Sequence, residues 1–305
     1  MLQRRRIGAY GLLRDEHGRV LLVRAAHDGH TSGRWFLPGG GVEHGEHPAD
    51  AVVREMREET GLRVEVTRPR EVVTDVERLP DVPAVRHLDR IIFEVRAVGG
   101  ELRSETGGTA DRVEWVTPAR AARLPIMPFV ASSLGLPAAD EKGGTRVDTS
   151  ETVAPAIGRA HQRFAAYGLV TDPAGRVLLT RIASGFPGAG RWHLPGGGTD
   201  FGESALAGLK RELQEETAQV GQVGELLAVS HRHHHDAVGP EGVPIDWHGV
   251  RVVYRVTVAA PTPARVVESH GGSTAAAAWF EPRAALRLTL TEIAQEMITE
   301  HLVRR

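Results

Sequence analysis

The sequence predicts a duplicated α+β fold, with two copies of an α/β/α sandwich that each set a mixed sheet among flanking helices. Three observations carry this expectation. Loosely alternating apolar segments, joined by Gly-, Asp- and Pro-rich turns, read as hairpin-connected strands. Each group of strands is interrupted by one strongly amphipathic helix. The whole pattern then restarts at a constant offset of 157 residues, Gly40 returning as Gly197 and Arg54 as Arg211.

A chain of 305 residues suggests two ordinary domains. They are assigned to 1–132 and 158–305. The stretch between them, 133–157, lacks periodicity, carries turn and polar residues, and reads as the linker. A net charge of −2 leaves no electrostatic footprint for nucleic acid or an acidic membrane. The opening Met-Leu-Gln-Arg-Arg-Arg has no apolar run behind it and is not a secretory signal. No apolar run approaches a bilayer span. The absence of cysteine excludes disulfides, thiolate nucleophiles and thiolate metal sites. From these bounds a soluble, cytoplasmic, globular protein is expected.

In the first copy, 6–13 and 19–24 read as a hairpin and 27–34 as loop. A helix follows the triple glycine Gly39-Gly40-Gly41, with His47 as N-cap, Pro48 at the first helical position and Gly61 as the left-handed stop. Strands are expected at 63–75 and 90–98, around a loop holding Pro80 and Pro83, then at 112–116, with a helix starting at 118–124. In the second copy Tyr167-Gly168-Leu169, Gly190-Arg191-Trp192 and Leu194-Pro195-Gly196-Gly197-Gly198 repeat their counterparts. The helix returns over 204–217 with Ser204 as N-cap. Strands at 224–229 and 250–258 flank a long His-, Pro- and Gly-rich loop, and an amphipathic helix over 289–302 ends the chain.

The helix after the first triple glycine concentrates the chemistry. At about 100° per residue, Glu58 and Glu59 fall within roughly 60° of Glu55, and Arg54 flanks them. The opposite arc holds Ala49, Val53, Met56 and Thr60. Like charges at these spacings repel, and carboxylates at a helix C-terminus oppose the macrodipole. Local violations of this kind mark functional sites, and clustered carboxylates suit a hard divalent cation such as Mg²⁺. The repeat strengthens the point. Roughly half the positions from Tyr10 to Leu62 are unchanged in the second copy, yet Arg211, Glu212, Glu215 and Glu216 all return. A merely solvated face would have drifted with its surroundings.

The first copy matches a family pattern: Gly, five residues, Glu, seven residues, Arg-Glu, an aliphatic, any residue, Glu-Glu, any residue, Gly, an aliphatic. Here these are Gly40, Glu46, Arg54, Glu55, Met56, Glu58, Glu59, Gly61 and Leu62. The segment resembles the Nudix box, and the chain resembles a tandem Nudix (MutT-like) hydrolase. The resemblance implies the Nudix fold. It also implies Mg²⁺- or Mn²⁺-dependent hydrolysis of a nucleoside diphosphate linked to another moiety, by attack of water on phosphorus. It implies metal ligands at Glu58, Glu59, Glu46 and the Gly39 carbonyl, with Glu55 as general base or further ligand and Arg54 orienting the carboxylates. Carried to the second copy, it implies Glu215, Glu216, Glu203 and Gly196 as ligands and Glu212 and Arg211 in the catalytic roles. The second copy departs from the pattern at Ala218 and Gln219, which puts its helix stop in question. The alternatives are a nucleotide-sensing module, or one catalytic and one non-catalytic copy.

The run His231-Arg232-His233-His234-His235-Asp236 offers imidazoles and a carboxylate. Adjacent residues of a strand point to opposite faces, and the spacing fits no zinc pattern. The run is expected to be a solvated or substrate-facing loop.

Overall fold

The computed structural model describes residues 2–26, 31–79, 83–104, 109–137, 160–238, 242–267 and 272–304. The first repeat supplies β1 (Leu2–Leu13), β2 (Val20–Ala25), β3 (Trp35–Phe36), β4 (Gly39–Gly41), α1 (Pro48–Thr60), β5 (Leu62–Arg78), β6 (Ala84–Gly100), β7 (Ala110–Val116), α2 (Pro118–Ala121) and α3 (Pro128–Leu134). The second supplies β8 (Ala160–Thr171), β9 (Val177–Ile182), β10 (Trp192–His193), β11 (Gly196–Gly198), α4 (Ala205–Thr217), β12 (Gln222–Val238), β13 (Pro244–Thr257), β14 (Thr274–Phe280), α5 (Pro282–Ala285) and α6 (Glu292–Ile298). A π-helical turn, Thr299–Val303, continues α6.

Each repeat mixes sheet and helix as the hairpin and helix patterns require. In the first, one sheet runs β4-β1-β6-β5 and another β3-β2-β7. β1 lies parallel to β6, while β4 joins β1 and β5 joins β6 antiparallel. The second repeat's sheet runs β10-β9-β8-β13-β12, with β11 on β8 and β14 on β9. Two expected loops are sheet instead. β5 and β6 pair from Leu62↔Gly100 to Arg78↔Val85, which absorbs most of the loop expected between 75 and 90. The histidine run lies inside β12, beside β13, and is not a loop. Backbone pairing overrides the weak strand propensity of its polar side chains. The expected helix at 118–124 is shorter, at Pro118–Ala121, and the one expected at 289–302 starts later, at Glu292, and runs through α6 into the π-helical turn ending at Val303. Residues 138–159, most of the expected linker, lie outside the described residues.

The cores repeat as the sequence does. Leu12, Val20, Leu22 and Leu37 pack with Trp35, Ile92, Phe129 and Val130. Leu169, Val177, Leu179 and Leu194 pack with Val253, Ile293 and Met297. Burying each such side chain contributes about 1.5–3 kcal/mol, so these clusters hold the strands against which α1 and α4 are set. The backbone groups into two compact units, Met1–Gln162 with Val229–Val250, and Arg163–Ala228 with Arg251–Arg305. No described helix is long and apolar enough to cross a membrane.

Candidate active site

α1 starts and stops where its sequence demands. The His47 ring accepts a hydrogen bond from the Ala49 amide through Nδ1 at 3.0 Å, and Pro48 needs no amide partner. Gly61 closes the helix at φ 72°. In the second copy the Ser204 hydroxyl accepts from the Ala207 amide at 3.2 Å. Ala218 stops α4 at φ 56°, in the same left-handed conformation, so the departure from glycine leaves the helix end in place. Gln219 explains how. Its buried amide donates to Thr262 Oγ1 at 2.8 Å and its Oε1 accepts from the Thr262 amide at 3.0 Å, which pins the chain beyond the helix.

The arc of α1 that packs inward is Ala51, Val52, Met56 and Thr60, with Glu59 among them. Glu59 is 5% exposed and is not presented beside Glu58 as a solvated pair. Its Oε2 accepts from the Gly39 amide at 2.9 Å and its Oε1 from Thr109 Oγ1 at 3.4 Å. Glu216 repeats this: it is 3% exposed, accepts from the Gly196 amide at 2.8 Å, and takes the Thr274 hydroxyl. Thr109 and Thr274 could not be read from the sequence, because they reach the carboxylate from distant segments at unequal offsets. The carboxylates with charge partners gather on arginine. Arg54 donates to Glu46 Oε1 at 2.9 Å and Oε2 at 3.0 Å, to Glu55 at 2.9 Å, to Glu58 at 3.3 Å and to the Gly41 carbonyl at 3.1 Å. Arg211 donates to Glu203 at 3.0 and 3.0 Å, Glu212 at 2.9 Å, Glu215 at 3.2 Å and the Gly198 carbonyl at 3.2 Å. One guanidinium thus holds three carboxylates and a glycine carbonyl, in duplicate.

Each glycine of the triple has its own reason. Gly39 sits at φ 146°, and a Cβ there would collide with the Ala9 carbonyl oxygen. A Cβ on Gly40 would lie 2.5 Å from Glu55 Oε1, and on Gly41 2.6 Å from Arg6 Nη2. The second copy repeats all three, with Ala166, Glu212 and Arg163 as the neighbours. Arg6 and Arg163 stand at the same offset of 157 residues and were therefore findable from the repeat.

Electrostatics separate the carboxylates. Burial raises Glu55 above its ordinary range, and the Arg54 hydrogen bond only partly offsets this. Burial also acts to raise Glu46, but hydrogen bonds from Arg54 and the Glu43 amide outweigh it and hold Glu46 low. Arg54 and Arg211 are raised, first by their bonds to Glu46 and Glu203. Oxygen donors dominate both centres, and Gly40 and Gly197 leave a cradle that a Cβ would fill. This is the donor set a hard divalent cation takes.

A NUDIX domain family model matches residues 4–134 and again 161–301. The chain belongs to the Nudix family. Its two Nudix domains are the two copies that carry the arginine–carboxylate networks. A MutT-like protein of Streptomyces ambofaciens is 35% identical over 37% of this chain and 64% of its own length. An 8-oxo-dGTP diphosphatase of Escherichia coli is 43% identical over 18% of this chain and 42% of its own. An ADP-ribose pyrophosphatase of Methanocaldococcus jannaschii is 36% identical over 30% of this chain and 50% of its own. The chain therefore spans less than two thirds of the length of each of these relatives.

The structure does not bring every Nudix-box carboxylate to one point. Glu59 is turned to Gly39, Glu46 to Arg54, and Glu58 remains half exposed at 52%. Among the described residues, the three-residue group of ligand atoms that does converge lies elsewhere, at His44, His233 and Asp246.

Proposed function

We propose that each Nudix domain is a pyrophosphohydrolase site that cleaves the diphosphate of a nucleoside diphosphate derivative with Mg²⁺ or Mn²⁺. The domains are taken as 1–132 and 158–305, joined through 133–157, in a cytoplasmic protein with a small nucleotide substrate. The observation that carries this reading is the pair of arginine-centred networks, whose corresponding distances differ by no more than 0.1 Å. A network reproduced so closely, on helices most of whose other residues have diverged, points to shared chemistry.

Glu58 and Glu59 would hold the cation in the first domain and Glu215 and Glu216 in the second, with the Gly39 and Gly196 carbonyls beside them. An ion held there would supply neutralisation of the pyrophosphate charge and a lowered pKa for the attacking water. Glu46 and Glu203 act chiefly by fixing Arg54 and Arg211, since both oxygens of each accept from its arginine. Arg54 in turn holds Glu55 Oε1, which leaves Oε2 to take the proton of the water that attacks phosphorus. The raised pKa of Glu55 suits that task. As the water oxygen bonds to phosphorus, the anhydride P–O bond breaks and its electrons stay with the departing phosphate. Glu212 and Arg211 take the same parts in the second domain.

The test is a screen of nucleoside diphosphate derivatives, including 8-oxo-dGTP and ADP-ribose because relatives bear those names. It is scored by release of nucleoside monophosphate with Mg²⁺, with Mn²⁺ and with EDTA. Turnover that requires the cation is expected. No turnover on any compound with either metal would replace this reading with a nucleotide-binding module.

A further inference from the structure

The histidine run that fits no linear zinc pattern acquires one in three dimensions. Within β12, His231, His233 and His235 alternate with Arg232 and His234 and so share one face. On the neighbouring β13, Asp246 and His248 are likewise two residues apart. The loop before α1 brings His44 to the same place.

The local hydrogen bonds divide these histidines into supports and ligands. His47 caps α1 through Nδ1. His248 is fully buried, and its Nδ1 accepts from the Gly45 amide at 3.1 Å. Its protonated Nε2 therefore donates to His231 Nδ1 at 3.3 Å. These bonds fasten the Gly45 loop to the strands. What remains points at a single carboxylate oxygen: His233 Nε2 lies 2.7 Å from Asp246 Oδ1, His44 Nε2 3.2 Å and His235 Nδ1 3.6 Å.

We propose that His44, His233 and Asp246 form a transition-metal site of the Zn²⁺ class, separate from the Nudix carboxylates, with exposed His235 able to supply a fourth ligand. The ligand atoms of the three lie within 4.8 Å of one another. A tetrahedral ion with bonds of about 2.1 Å sets its ligands roughly 3.4 Å apart, so small side-chain rotations complete the site. Two imidazoles with one carboxylate select a borderline ion such as Zn²⁺ over Mg²⁺. Gly45 makes room for the arrangement. It sits at φ 83°, and a Cβ there would strike the His233 ring. An ion at this point clamps the segment between the triple glycine and α1 to β12, and so fixes the loop from which Glu46 reaches Arg54.

The experiment uses the full chain, stripped with EDTA and titrated with ZnCl₂ under excess Mg²⁺, which occupies the oxygen sites. Bound Zn²⁺ is counted calorimetrically and Tm is followed with and without it. Co²⁺ substitution reports tetrahedral coordination through its visible absorption. One tight equivalent is expected in the wild type and in the Glu59→Gln, Glu216→Gln double variant. Affinity should fall by more than about a hundredfold in His44→Ala and in Asp246→Asn, since removing a ligand outweighs the 10–100-fold loss typical of its supports. His44 comes from a loop, so its variant keeps the test open if a strand variant fails to fold. Failure of the wild type to retain one Zn²⁺ under excess Mg²⁺ would overturn the proposal. So would unchanged affinity in either single variant, or loss of Zn²⁺ with the two glutamates.

Discussion

Ala218→Gly and Gly61→Ala exchange the residues that stop the two corresponding helices, and the structure predicts opposite and unequal effects. Ala218 stands at φ 56° and is the one non-glycine residue with positive φ among the described residues. Left-handed backbone costs an L-residue about 1–2 kcal/mol. Glycine removes that strain but adds unfolded-state entropy worth about 0.4–1 kcal/mol. The net expectation for Ala218→Gly is a gain of about 0.5–1 kcal/mol, or roughly 1–4 °C in Tm for a domain of this size. Gly61→Ala incurs the same strain at φ 72° and brings a Cβ into the Glu101 carbonyl, a backbone atom that cannot rotate away. Overpacking of that kind adds about 1–3 kcal/mol, so the loss is about 2–3 kcal/mol, two or more times the gain at Ala218. Scanning calorimetry of both variants in metal-free buffer measures the pair. A fall in Tm for Ala218→Gly, or a loss at Gly61 no larger than the gain at Ala218, would show that left-handed strain does not set the stability of these helix ends.

Four further outcomes follow from the sites and the core. Glu59→Gln and Glu216→Gln should each remove one domain's turnover and only together remove all of it; complete loss from Glu59→Gln alone would show that the second site is not an independent catalyst. Because burial raises Glu55, the acid limb of kcat/KM for the first domain, measured in Glu216→Gln, should lie above the ordinary carboxylate value of 4.5. Adding Glu55→Gln to that background should erase the limb and cost about 10²–10⁴-fold in rate. Gly40→Ala drives a Cβ to 2.5 Å from Glu55 Oε1, the end of a flexible side chain; turnover of the first domain should fall more than about tenfold while its Tm shifts by about 2 °C or less. Asp89 is fully buried between Arg5 at 2.7 Å and His87 at 3.1 Å. Burial acts to raise its pKa, but the His87 hydrogen bond and the Arg5 charge outweigh it and hold the carboxyl low. Its stabilisation is complete above its ordinary pKa of 3.8 and is lost as pH falls through the lower folded value. Asp89→Asn should therefore cost about 3–5 kcal/mol near pH 7 by urea unfolding, a gap that narrows in acid; a gap unchanged at about pH 2 would count against it.

The sequence alone determined α1 and α4, the start of both and the stop of α1, the arginine–glutamate spacing and the repeat; the stop of α4 at Ala218 came from the structure. Those features are local: 3.6-residue periodicity and capping chemistry act within a few neighbours, so His47, Pro48, Gly61 and Ser204 could be placed from their neighbours alone. The constant offset also exposed which charges had not drifted. Tertiary structure decided where each carboxylate points. Glu59 and Glu58 are adjacent in sequence, yet one is buried against the Gly39 amide and the other half exposed, because the partner strand comes from 20 residues away. It decided why each glycine of the triple is glycine, since the obstacles are Ala9, Glu55 and Arg6. It moved the histidine run from an expected loop into β12 and set it beside Gly45, whose bond to His248 spans 203 residues. Strand pairing and loop docking are fixed by distant partners, and a pattern read along the chain holds no record of distance across it.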